Sequence, residues 1–218
     1  MKVIHLLCSN RFSGAENVVC QIIRGFKKIE NFEMFYCSKE GKNKETLENK
    51  NIKWIKMNKF SFIELKKIIN EYNIAIIHAH DIKASLLASL FSNKCTIISH
   101  VHANHENMRK INVKTVLYNL VRNRFRKIIW ISNSAFDNYV FKEKIKNKSK
   151  ILYNVIDEKE IFEKASLDEY QDDYDVIYLG RLTYQKNPLR LISLRFPFQT
   201  GRGGIHLVSG IRERFYQP

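Results

Sequence analysis

The sequence predicts an α/β protein: a doubly wound, parallel-sheet, Rossmann-like domain, followed by the first βα unit of an incomplete second Rossmann-like domain. Three observations lead there. Apolar runs of strand length recur through residues 1–156, and helical apolar spacing separates most of them. These runs are apolar almost throughout, as expected of strands covered on both faces. After a short acidic stretch the pattern begins again at residues 175–180, in a chain of 218 residues. That length has room for one large domain, or one domain and part of another.

Taken in order, residues 3–8 form a first strand and the loop 9–15 holds Gly14. Val18, Val19, Ile22, Ile23 and Phe26 then mark a helix over 16–29. Strands follow at 32–37 and 52–57, joined by a Lys/Asn/Glu-rich loop. Phe62, Leu65, Ile68 and Ile69 predict a helix ending near Asn73. Residues 74–77 are a strand running into His78-Ala79-His80-Asp81, with a helix over 82–91. Residues 95–99 are the next strand, followed by His100-Val101-His102. A basic helix (111–125), a strand (127–131), a helix (134–141) and a short strand (150–153) complete the first domain, 1–156. Strands alternating with helices in this way give a parallel sheet wound on both sides. A linker occupies 157–174, and the strand at 175–180 ends in Gly180, with Pro188 suited to a first helical position. Residues 175–218 are too few for a full domain of about 100 residues.

The formal net charge of +15 is unevenly placed. Residues 1–156 carry 28 Lys and Arg against 12 Asp and Glu, and residues 157–175 carry nine acids against Lys159 and Lys164. Residues 176–218 carry seven basic residues against Glu213 alone. A basic body, a solvated connector and new structure beyond it fit that order. Such a body favours nucleic acid, an anionic lipid surface or phosphorylated small molecules. The basic residues are Lys-rich and diffuse, with no zinc-finger, RNP or helix-turn-helix signature, which argues against nucleic acid. With 8 Gly and 3 Pro, collagen-like and low-complexity classes are excluded. No apolar run approaches the ~18–20 residues that cross a bilayer, and the first ten residues read as a buried strand rather than a signal peptide. Cys8, Cys20, Cys37 and Cys95 show no CxxC spacing, so a reducing, cytoplasmic setting is expected. Residues 193–218 are out of character, with no Lys or Asn against 25 Lys and 20 Asn before them, and no long apolar period. A frameshifted or recombined end is expected there.

In an open parallel sheet, ligands bind beyond the carboxyl ends of the strands. The candidates at those ends are Ser13, Gly14, His80, Asp81, His100, His102, Asn104, Ser132, Asn154 and, in the second unit, Arg181 and Lys186. Gly14 opens a helix where free N–H groups and the dipole attract oxygen anions, although an ordinary tight turn has the same sequence. The two H-x-H triplets invite a metal-hydrolase reading, with His105 and Asp81 as further ligands. Each triplet straddles a strand end, where a shared direction is expected to be lost, and no acidic cluster accompanies them. A pair of histidines contacting a ligand is expected, and no metal. His5 and His78 are expected to pack in the core. Residues 107–136 contain no acid and include Arg109, Lys110, Lys114, Arg122, Arg124, Arg126 and Lys127. Val113, Val116, Leu117, Leu120, Val121 and Phe125 recur there at helical spacing. Such a helix either lies on an anionic membrane surface or packs in the core with a solvated basic rim.

Five segments, in order, resemble the family 4 retaining glycosyltransferases of the GT-B fold. They are S-G-A-E (13–16), I-I-H-A-H-D (76–81), I-S-H-V-H-A-N (98–104), W-I-S-N-S (130–134) with I-L-Y-N-V-I-D (151–157), and V-I-Y-L-G-R-L-T-Y-Q-K-N-P (176–188). The last is the most specific, and Ser13 stands where the family usually has a second glycine. The resemblance covers about residues 1–192. It implies a nucleotide-sugar donor and no metal or other cofactor. It also implies that Gly14 faces donor and acceptor, that His100 or its rival His102 is the active-site histidine, and that Arg181 and Lys186 grip the donor diphosphate. Ser13, His80, Asn104, Ser132 and Asn154 fall on the acceptor side, and the basic helix meets the membrane that carries a lipid-linked acceptor.

The expected function is therefore hexosyl transfer from a nucleotide-sugar to a lipid-linked glycan, in cell-surface (capsule-type) polysaccharide synthesis at the inner face of the membrane. The family's E-x7-E region has no counterpart in this sequence, so little or no activity is expected of the isolated chain. A non-catalytic remnant that binds acceptor or membrane, and a His-rich metal hydrolase, are the alternatives.

Overall fold

The apolar runs of the first 157 residues become seven strands in a computed structural model of the chain. They are β1 (Lys2–Leu6), β2 (Glu33–Lys39), β3 (Trp54–Met57), β4 (Ile76–Ala79), β5 (Thr96–Val101), β6 (Lys127–Trp130) and β7 (Ser149–Ile151). Between them lie α1 (Gly14–Phe26), α2 (Lys44–Asn49), α3 (Phe62–Tyr72), α4 (Ile82–Ser89), α5 (Val113–Leu120) and α6 (Asn133–Asp137). The structure describes residues 1–102, 108–154, 158–166, 176–179, 187–193 and 205–208. It divides into two units, Met1–Asp157 and Glu158–Pro218.

All seven strands of the first unit run parallel, in the order β3-β2-β1-β4-β5-β6-β7. Alternation along each strand sends neighbouring residues to opposite faces. Ile4, Leu6, Phe35, Cys37, Ile77 and Ile97 join one core with Leu65 and Ile68 of α3 and Ala84 and Ala88 of α4. Leu7 and Tyr36 join a second core with Val19, Cys20 and Ile23 of α1 and Leu47 of α2. Full burial of an aliphatic side chain contributes roughly 1.5–3 kcal/mol, so these two clusters hold the layers together. The four cysteines carry no disulfide.

Polar groups fix how the helices enter and leave. Ser61 accepts from the Glu64 amide at the start of α3, and Asp81 accepts from the Ala84 amide at the start of α4. Asn112 and Thr115 form a reciprocal capping box on α5. Among the described residues the left-handed backbone positions are all asparagines: Asn31, Asn51, Asn73 and Asn187. In this Asn-rich chain they do the work that glycine does elsewhere, because the short amide side chain tolerates that region. A buried polar chain ties α5 to the sheet, from Ser85 through Ser99 to the Tyr118 hydroxyl, at 2.7 and 2.6 Å. Burial pushes the Tyr118 phenol above its ordinary range, which keeps that proton in place.

Three sequence expectations change. The Lys/Asn/Glu-rich loop contains α2, whose single buried apolar residue, Leu47, leaves no period to detect. The basic helix is shorter than expected, ending at Leu120 before a 3-10 turn at Arg122–Arg124. Residues placed in a linker at 157–174 include α7 (Glu158–Ala165), built from good helix formers. In the second unit, β8 (Val176–Leu179) and α8 (Pro188–Ser193) lead to β9 (Ile205–Val208), which pairs parallel with β8. Within 193–218 the described strand is Ile205–Val208. That strand has four residues, one of them His206, too few to show a period.

Asn73 closes α3 at φ 53° and ψ 56°. Asn73→Ala is expected to lower stability by about 1 kcal/mol, and Asn73→Gly to hold it or raise it slightly, as read from urea unfolding midpoints. Equal loss in both variants would contradict the backbone origin of the effect.

Candidate functional site

Strand order reverses between β1 and β4, and an open parallel sheet binds ligands in the crevice outside the carboxyl ends at such a point. A cleft of about 450 Å³ lies there. Cys8, Ser9, Ser13 and Glu16 line it from the β1–α1 side, His80, Asp81 and Lys83 from the β4–α4 side, and His102 and Lys114 from beyond β5 and from α5. Asp81 holds the two central loops together. One carboxylate oxygen accepts from the Ala84 amide at 2.7 Å, and the other accepts from the Cys8 amide at 3.0 Å. Across the cleft the Ser13 hydroxyl donates to Glu16, a buried carboxylate in the first turn of α1, where the helix dipole favours negative charge.

Behind the cleft five histidines gather on one face of β1, β4 and β5. His5 and His78 are register partners, and Ala79 pairs with Ser99, so His80 and His100 follow as neighbours. Period two then adds His78 to His80 and His100 to His102. Ring centroids stand 4.1 Å apart for His78–His80, 4.0 Å for His100–His102 and 5.3 Å for His80–His100. The triplets therefore keep a common direction past their strand ends, contrary to the sequence expectation, because β5 runs on through Val101 and alternation persists one residue further. His5, buried as expected of a core-strand histidine, belongs to the same group.

His80 is the centre of a hydrogen-bonded chain. Its Nε2 lies 2.9 Å from His5 Nδ1, and its Nδ1 lies 2.8 Å from His102 Nε2. A neutral imidazole has one N–H and one lone pair, so the protons all point one way along this chain. Burial, reinforced by the neighbouring rings, depresses all of these groups: His5 to about 3, His100 to about 2, and His78 and His80 well below their ordinary value. Burial alone takes His102 to about 4. All five are neutral at pH 7. Among the described residues, His5 Nε2, His78 Nε2 and both nitrogens of His100 have no hydrogen-bond partner. Two triads, His5-His78-His80 and His80-His100-His102, bring their ligand atoms within 4.8 Å of one another.

The remaining sequence candidates separate by place. His100 is 1% exposed and does not line the cleft, whereas half-buried His102 does. Gly14 opens α1, and a Cβ added there meets nothing within 4 Å among the described residues. Ser132 lies beyond β6 with its hydroxyl taken up in capping α6, and Asn154 is exposed beyond β7; neither lines the cleft. Asn104, Arg181 and Lys186 lie outside the described residues. Lys114 reaches the cleft, while Arg109, Lys110, Arg124, Arg126 and Lys127 are exposed and Arg122 is half-buried, donating to the Asn119 carbonyl. On α5 the apolar side faces out: Val113 is 76% and Leu120 65% exposed, with Val116 and Leu117 also exposed. Thr115, Tyr118 and Asn119 face in. Tyr118 and, beyond the helix, Phe125 join the core with Val121 packed against it, while Val113, Val116, Leu117 and Leu120 are left exposed. Among the described residues no helix is long and apolar enough to cross a membrane.

Sequence reasoning missed His5 as a member of the cluster and Asp81 as the clasp between the central loops. The adjacency of the first and fourth strands, inherent in a doubly wound order, was the signal available for both.

Residues 12–160 match the family model of Glycosyltransferase Family 4. No curated protein matches the sequence. Among solved structures, Anabaena Alr3699/HepE in complex with UDP and glucose is similar at a TM-score of 0.69 and 17% identity, over 88% of this chain and 56% of its own. The lipopolysaccharide outer core galactosyltransferase WaaB, in its apo form, is similar at 0.60 and 18%, over 95% and 60%. The UDP-GlcNAc 2-epimerase of Methanocaldococcus jannaschii is similar at 0.58 and 18%, over 88% and 60%. The chain spans little more than half the length of these proteins. The likeness is one of fold, and the fold is that of GT-B, Rossmann-like enzymes.

Unfolded histidines take up protons near pH 6.5, and the folded ones only at about 4 or below. The unfolded state therefore binds more protons in between, and stability falls as pH drops from 6.5. Thermal unfolding of chelator-treated protein should give a midpoint that is flat above pH 7 and falls steeply between pH 6.5 and 5, above the carboxylate range. A flat profile across that window would contradict a buried neutral cluster.

Proposed function

The chain belongs to glycosyltransferase family 4, and from that premise we propose that it takes part in transferring a hexosyl group, with retention, from a nucleotide-sugar to a glycan acceptor. The observation that carries this is the cleft at the β1–β4 reversal, where α1 begins at Gly14 and the His102 ring stands at the rim. A UDP-sugar is the donor class favoured, since the similar HepE structure holds UDP and glucose.

Each group has a role that its chemistry suits. The first amides of α1 and the open space at Gly14 receive donor or acceptor oxygens. His102, neutral at physiological pH, both donates and accepts a hydrogen bond and so orients a sugar hydroxyl. Of the two histidines in the second triplet it takes the part of the active-site residue, and His80 holds its ring through the 2.8 Å bond. On the second unit Arg181 and Lys186 neutralise the diphosphate as it leaves, a role that calls on no metal. The donor phosphate then assists removal of the acceptor proton.

The acceptor is lipid-linked and the pathway builds a cell-surface polysaccharide, with the protein peripheral at the inner face of the membrane. The exposed apolar side of α5, flanked by Arg109, Lys110, Arg124, Arg126 and Lys127, supports this, because a helix of that kind docks on anionic lipid. Each cation near such a surface contributes on the order of 1 kcal/mol.

Titration with UDP-glucose and other UDP- and GDP-sugars tests the donor. Binding is expected to weaken about tenfold or more in Arg181→Ala, the loss of one charge-assisted contact, with the unfolding midpoint unchanged. Turnover with a lipid-linked acceptor would identify the chain as active alone, and binding without turnover would identify a donor-binding module. Absence of nucleotide-sugar binding would contradict the proposal.

Cosedimentation with vesicles tests the surface. The protein should pellet with phosphatidylglycerol vesicles and not with phosphatidylcholine, and less so at high salt. Leu117→Asp with Leu120→Asp should abolish pelleting without lowering the unfolding midpoint, since both side chains are exposed. Unchanged pelleting in that variant would remove α5 from the membrane contact.

A further inference from the structure

We propose that the histidine cluster binds one divalent transition cation of the zinc, cobalt, nickel or copper class, held by His80, His100 and His102. The donor set selects the class. Every ligand atom is an imidazole nitrogen, which suits Zn²⁺, Cu²⁺ and Ni²⁺, whereas Mg²⁺ and Ca²⁺ take oxygen. The nitrogens of the triad lie within 4.8 Å of one another. Metal–nitrogen bonds of about 2.0–2.1 Å set ligand atoms roughly 3.3 Å apart around a tetrahedral ion, so ring rotation closes the remaining gap.

Unmet bonding capacity points the same way. His100 is 1% exposed and neither of its ring nitrogens has a partner among the described residues. A buried polar atom without a partner costs about 1–3 kcal/mol, and a cation converts that deficit into a bond. Of the two triads, the one with His102 is reached from the cleft, whereas His5 and His78 are buried behind it. The bond between His80 and His102 gives way to two bonds to the metal, and His80 keeps its contact with His5 as the outer-shell support that ligating histidines use. Asp81 and Glu16 line the same cleft and offset the added charge. The fourth position faces the cleft and takes water. His102 cannot hold the ion and orient a sugar hydroxyl at once, so this cation competes with the sugar-transfer step, which itself draws on no metal.

The test is metal binding by the full chain after chelator treatment and desalting. Titration with Co²⁺ should produce visible d–d absorption that saturates at one ion per chain. Zn²⁺ should displace it, and Mg²⁺ should not. Affinity should fall at least tenfold in His80→Asn and in His102→Asn, and should hold in His206→Asn, which alters a histidine of the other unit. The second cluster variant covers the case in which the first does not fold. Wild-type protein that shows no Co²⁺ spectrum and retains no Zn²⁺ overturns the proposal. Binding that survives both cluster variants, or is lost in His206→Asn, overturns it equally. Nucleotide-sugar binding is measured separately, so either idea can fail without the other.

Discussion

Parallel pairing of β1 with β4, in register from Val3–Ile76 to Leu6–Ala79, brings together two loops that lie about seventy residues apart in the chain. The order of strands reverses at this pair, so the helices that follow it leave on opposite faces and the crevice stays open. Asp81 then fastens the crevice, with one oxygen on the first turn of α4 and the other on the Cys8 amide. A charged acceptor shared by two backbone donors is a strong tie. It fixes the distance between the loop that begins α1 and the loop that carries His80. Without that pairing neither the cleft nor the histidine chain behind it would exist.

The same pairing imposes a cost that the site turns to use. Three adjacent strands place five imidazoles where other parallel sheets place aliphatic side chains, on the face shared with Leu7 and Tyr36. The charged form is expelled by burial and by the neighbouring rings, so the cluster persists as neutral donors and acceptors. Held in this form, His102 can present a ring of fixed orientation to the cleft, backed by His80 and His5. A single imidazole at a loop end would be free to turn. On the proposed reading, neutral hydrogen-bonding groups of this kind serve sugar hydroxyls and cations serve the diphosphate.

How much of this was legible in the sequence follows from the range of each interaction. Strands with several consecutive apolar residues, such as β1, β4 and β5, declare themselves, as does α1 with Val19, Cys20 and Ile23 on one side. Helix α2 does not, because Leu47 alone anchors it, and β9 does not, because four residues make no period. The helical spacing on α5 was visible but its meaning was not. Apolar spacing announces a face without saying what covers it, and here the buried hydroxyls of Ser99 and Tyr118 decide that the other side turns inward. Family membership was readable from short motifs, whereas the union of His5 with the two H-x-H triplets needed the strand order. The H-x-H motif leaves His100 and His102 as rivals; of the two, His102 lines the cleft and His100 does not.

The central claim is that the carboxyl-edge cleft between β1 and β4 receives the nucleotide-sugar. NMR mapping of the ¹⁵N-labelled chain during addition of UDP-glucose tests it most directly. The account predicts that the amides of Cys8, Ser13 and Ala15 and the ring of His102 shift together and saturate at one equivalent. Shifts confined to the opposite, amino-terminal edge of the sheet, around Lys94 and Arg124, would contradict it.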